Sequence, residues 1–203
     1  MKTDVIIIRP DGKGIDRALA EAEKAAVYCG LNEKQALRLR LLAEEMTGML
    51  RTIVGDGEYR FRIESRGKAF SLHLETGVQV CRAVYEELVK SASSGKNDAA
   101  KGFMGRIRDI IIKMCAPGEG MLADEYGYAF VDPCGRDPAL FFPTAAMYEG
   151  WSMKAYREQL EARGEKCTEQ WDELERSITA NLADEVKVFI RGSSVELIVE
   201  KTF

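Results

Sequence analysis

Two alternating runs give the sequence its clearest pattern. Tyr59, Phe61 and Ile63 alternate with Arg60, Arg62 and Glu64, and Phe70, Leu72 and Leu74 alternate with Ser71, His73 and Glu75. A period of two puts the apolar members on one face of a strand. With Arg66-Gly67 between them, the runs predict an antiparallel hairpin with one core face. A second hairpin ends the sequence. Val186, Val188 and Ile190 alternate, Gly192-Ser193-Ser194 turns, and Val195, Leu197 and Val199 alternate back. Near the start, Val5 to Arg9 is a β-branched run closed by Pro10-Asp11-Gly12, which reads as a strand and a turn.

Elsewhere the period lengthens. Ile15, Leu19, Ala22, Ala26 and Cys29 form one stripe of an amphipathic helix that Gly30 stops. Asn32 to Val54 is the longest helical pattern, with Leu39, Leu42, Met46, Met49, Leu50 and Ile53 on one apolar face. Asn32 and Gln35 make a capping-box pattern at its start, and Gly55-Asp56-Gly57 ends it. A second face of this helix holds Leu37, Leu41, Glu44 and Gly48, with Arg40 spaced to pair with Glu44. Further helical patterns cover Ala83 to Val89, Gly102 to Met114, Ser152 to about Arg163, and a stretch after Thr168 striped by Trp171, Leu174, Ile178 and Leu182. Between them, Ser91 to Asp98 has loop composition. Pro117 to Gly150 mixes prolines, turn residues and aromatics, as an ordered elaboration does.

Composition narrows the partners. The chain has 203 residues, 46% hydrophobic, with a formal net charge of -4. That supports one domain with a real core, and it gives no basic footprint for nucleic acid or polybasic anchor for a membrane. The apolar runs are too short to span a bilayer, and Met1 leads directly into a strand-like run, so a cytoplasmic location is expected. The five cysteines are scattered without a CxxC, which points to neither a disulfide framework nor a zinc knuckle. His73 is the only histidine, so any histidine-based catalysis or metal binding would have to use it. Its strand pattern places it at the surface or at a pocket edge.

Three motifs stand in order along this framework. The long helix carries AEEMTGM, Ala43 to Met49, with Glu44 one turn before Gly48. The second strand of the hairpin ends in Glu75-Thr76-Gly77. A polar stretch is then followed by Lys101-Gly102-Phe103-Met104-Gly105 at the start of a helix, where backbone N–H groups can hold phosphate. The order of elements and motifs resembles the ATP-binding fold of the GHKL superfamily (gyrases, histidine kinases and MutL-type repair proteins), and most closely its anti-sigma-factor serine kinases. The resemblance covers about Lys2 to Met114 and the final hairpin.

What the resemblance implies is specific. The fold would be α+β, a two-layer α/β sandwich whose mixed, mostly antiparallel sheet has helices on one face. An irregular and helical insertion, 115–182, would interrupt a single domain with core 2–114 and 183–203. The function would be that of an ATP-binding regulatory protein, either an ATPase or a serine/threonine protein kinase. Glu44 matches the family's general base, and Thr47 a frequent threonine. Gly48 falls where the family has the asparagine that holds Mg²⁺. Glycine has no oxygen to offer the ion, so Glu45 would have to substitute as metal ligand. Glu75 and Gly77 would read the adenine, and Lys101, Gly102 and Gly105 would hold the phosphates. The implied cofactors are ATP or ADP with Mg²⁺, and the partners a regulatory protein or sigma factor and a second copy in a homodimer. The competing reading is a non-catalytic pseudo-ATPase module for protein interaction. A third, an unrelated α+β enzyme using Cys115 or Cys134, lacks an obvious base beside either thiol.

Overall fold

A computed structural model of the chain describes residues 1–50, 58–77, 149–162, 177–191 and 194–203. Its elements are β1 (Ile6–Ile8), α1 (Ile15–Tyr28), α2 (Glu33–Leu50), β2 (Tyr59–Arg66), β3 (Ala69–Gly77), β4 (Glu149–Ser152), α3 (Met153–Ala162), α4 (Ile178–Leu182), β5 (Glu185–Arg191) and β6 (Ser194–Thr202). The strands form one six-stranded sheet in the order β1-β2-β3-β6-β5-β4. Every pairing among these strands is antiparallel. The fold is thus α+β, with helices against one face of the sheet, as the alternating runs and helical stripes predict.

Parity decides what each strand buries. Tyr59, Phe61 and Ile63 of β2, Phe70, Leu72 and Leu74 of β3, Val186 and Val188 of β5, and Val195, Leu197 and Val199 of β6 all enter a single apolar core. The helices supply the other layer: Ala18, Ala22, Ala25 and Ala26 from α1, Leu39, Leu42, Ala43 and Met46 from α2, and Met153, Tyr156 and Leu160 from α3. An alanine stripe facing longer side chains lets α1 lie close to α2 without leaving voids.

The helix ends follow from local chemistry. Asn32 and Gln35 make the expected reciprocal cap, with Gln35 N donating to Asn32 Oδ1 at 3.0 Å and Asn32 N to Gln35 Oε1 at 3.1 Å. Gly30 takes φ +68°, so that Gly30 N reaches Val27 O and Leu31 N reaches Ala26 O, each at 3.0 Å. This left-handed glycine closure ends α1 and turns the chain into α2. Arg40 pairs with Glu23 of α1 rather than with Glu44. The expected i,i+4 pair is therefore replaced by a tie between two helices.

Two features depart from the expected pattern, and a third was not part of it. The elaboration before Trp151 ends in a strand, β4, which pairs with β5 from Glu149–Ile190 to Ser152–Lys187. Part of the presumed insertion is therefore an edge of the common sheet. The helix expected after Thr168 is described only from Ser177, whose backbone is extended and whose hydroxyl accepts from Ala180 N. Ser177 starts a new short helix, and it buries Thr179 and Ala180 while Ile178 faces outward. The third is at Gly14, which precedes α1 with φ +102°. A Cβ there would stand 2.2 Å from the carbonyl oxygen of Ile7. The expected helices 83–89 and 102–114, the loop 91–98 and the irregular stretch 117–148 lie outside the described residues.

Gly14→Ala should lower stability by at least about 1–3 kcal/mol, because strain at positive φ adds to the collision with β1. Asn32→Ala should cost about 1 kcal/mol through the lost cap. Urea denaturation of both variants checks the order: Gly14→Ala must be the more damaging.

Candidate functional site

The α2 motif divides between two surroundings. Leu39, Leu42, Ala43 and Met46 are fully buried, so the helix turns that side to the sheet. On the opposite side of the helix, about 180° round at 3.6 residues per turn, Leu37 is 57% exposed and Glu44 and Gly48 are exposed, with Leu41 half-buried. Glu45 is half-buried. Thr47 is buried, and its hydroxyl donates to Ala43 O at 2.9 Å and lies 3.1 Å from Glu44 O. That hydroxyl is thereby held to its own helix. Nothing lies within 4 Å of where a Cβ on Gly48 would sit.

The β3 motif lies at the strand's end. Glu75 is opposite Arg60 of β2 and Glu196 of β6, and Gly77 is opposite Ser194. Leu74 belongs to the core. Its neighbour Glu75 therefore leaves the sheet on the face away from the helices. Thr76 turns back, with its hydroxyl 3.4 Å from Glu58 O. The structure gathers Glu44, Glu45, Thr47 and Gly48 on one stretch of α2, and Glu75 and Gly77 at one strand end. It sets the carboxylates of Glu44 and Glu75 on opposite sides of the sheet. Lys101, Gly102 and Gly105 lie outside the described residues.

The second face of the sheet holds a charged centre that the sequence pattern does not announce. Arg62 of β2 and His73 of β3 are register partners, and Glu196 of β6 lies diagonally beyond them. Glu196 Oε1 is 2.9 Å from Arg62 Nη2 and 2.9 Å from His73 Nδ1. Arg62 also donates through Nε to Glu64 Oε1 at 3.1 Å, and Glu64 pairs with Lys2 at 2.9 Å. Glu196 is 5% exposed and His73 9%. Phe189, on the same face, is 1% exposed. The expectation of a surface or pocket-edge histidine thus gives way to a buried one.

One imidazole nitrogen meets both neighbours: His73 Nδ1 stands 2.9 Å from Glu196 Oε1 and 3.1 Å from Arg62 Nη2. A guanidinium only donates, and an ionised carboxylate only accepts. A protonated Nδ1 donates to Glu196, whereas a bare Nδ1 would accept from Arg62. Nε2 is buried, with no hydrogen-bond partner among the described residues. The hydrogen bond from His73, helped by electrostatic attraction to that ring and by the hydrogen bond and charge of Arg62, and opposed by burial, lowers the Glu196 carboxyl from 4.5 to about 2. Glu64 is also lowered, chiefly by its bond from Lys2. Alternation alone could pair Arg62 with His73. Finding Glu196 requires the β3–β6 register, which joins residues 123 apart in sequence.

Among the described residues no cluster of three or more His, Cys, Asp or Glu side chains could hold a metal ion. No described helix is long and apolar enough to cross a membrane. No protein-family model matches the sequence, and no curated protein is significantly similar to it.

Two measurements check the charged centre. With only one histidine in the chain, long-range ¹H–¹⁵N correlation should show a protonated Nδ1 donating to Glu196; a bare Nδ1 would overturn that bond. Glu196→Gln should lose about 1.5–3 kcal/mol at pH 7, the worth of charge-assisted hydrogen bonds. Because the folded carboxyl titrates below its usual value, its stabilisation is complete above pH 4.5 and lost as the pH falls toward 2. Denaturation curves should therefore converge for parent and variant across that window.

Proposed function

We propose that this chain is a regulatory module with a histidine-kinase-like frame, acting by binding a protein partner and not by phosphoryl transfer. The frame is supported by the order of elements: a strand, two helices, an antiparallel hairpin, and a C-terminal hairpin whose last strand lies beside β3. The single observation that carries the non-catalytic reading is the separation of Glu44 from Glu75 by the sheet. A general base and an adenine reader must face one ligand to act together. Two neighbours of Glu44 point the same way. The Thr47 hydroxyl is bonded to helix carbonyls, and Gly48 has no side chain with which to hold Mg²⁺.

A second reading, ATP binding with Glu44 as general base, is favoured by the exposure of that same stripe. Glu44 and Gly48 are open to a ligand, and half-buried Glu45 is one residue away. The ion would then need Glu45 as a protein ligand, because it offsets the charge of the transferred phosphoryl group. ATP or ADP, Mg²⁺ and a regulatory or sigma factor as protein substrate all belong to this reading. A homodimer is compatible with both.

Calorimetric titration with ATP and ADP, with and without Mg²⁺, separates the two. The non-catalytic module should show no saturable binding at millimolar nucleotide. Saturable, Mg²⁺-dependent binding that Glu45→Gln weakens would replace it with the second reading. Gly48→Asn adds the missing oxygen where there is room for it, and in the helix it should raise stability by a few tenths of a kcal/mol. The binding module should stay without ATP hydrolysis after that change, and hydrolysis appearing in the variant would sink it.

A further inference from the structure

We draw no further inference here: the strongest candidate, the Arg62–His73–Glu196 cluster on the sheet face away from the helices, leaves His73 Nε2 buried without a hydrogen-bond partner among the described residues, but nothing in the structure shows what covers that face.

Discussion

The pairing of β3 with β6 is the constraint on which the rest of this structure depends. It runs from Ala69–Thr202 to Gly77–Ser194 and joins the N-terminal hairpin to the C-terminal one. Without it the sheet would fall into two three-stranded pieces, β1-β2-β3 and β6-β5-β4, each with its own apolar face. The ladder merges those faces into one surface, with α1 packed on α2 and α3 on β4 and β5. Its register also sets the polar face. Arg62, His73 and Glu196 meet because β2, β3 and β6 are neighbours, and a slip of one residue would send Glu196 into the core and Leu197 out of it. Such a slip would bury a charge among apolar side chains, so the polar face penalises it as well as the core. Pairing so distant in sequence forms against a large loop-closure cost, and the nearby hairpins are the natural earlier steps.

Where helices meet strands, short polar devices hold the layers together. Glu185 begins β5 and also reaches the start of α3. Its carboxylate accepts from Ser152 Oγ at 2.9 Å, from Lys154 N at 3.1 Å and from Val186 N at 2.9 Å. A negative group at a helix N-terminus offsets the partial positive charge of the unpaired N–H groups. One side chain thereby fixes the angle between β4, α3 and β5. At the opposite edge the device is steric. Gly14 lets the N-terminal end of α1 rest on the Ile7 carbonyl, which places the alanine stripe above the sheet.

The framework was legible wherever a side chain's fate depends on its near neighbours. Tyr59, Phe61, Ile63, Phe70, Leu72 and Leu74 announce their strands because one face is dry and the other wet. Asn32 and Gln35 announce a helix start because both bonding partners lie within four residues. What stayed hidden was set at long range or by too few residues. β4 is four residues long with a glycine inside, so it has no alternation to read. Ser177 interrupts an apolar spacing that continues across it, because its hydroxyl finds the N–H of Ala180. His73 looked like a polar-face residue and is one. Its burial and its partner come from β6, which no local pattern could reveal.

The same parity limits the α2 and β3 motifs. A helix residue can be swung toward a ligand by rotating about the helix axis, but α2 is pinned through Leu39, Leu42 and Met46, each fully buried. A strand residue has only two directions, and Leu74 occupies the one that faces α2. For the carboxylate at 75 to join Glu44, β3 would have to end before it, giving up its place opposite Arg60 and Glu196. The residue at the strand end that does turn toward the helix layer is Thr76, an uncharged hydroxyl beside Glu58 O. A motif that looks complete as a string can thus be divided by the alternation of the strand that carries it. That division, more than the glycine at 48, keeps the two carboxylates from facing one ligand.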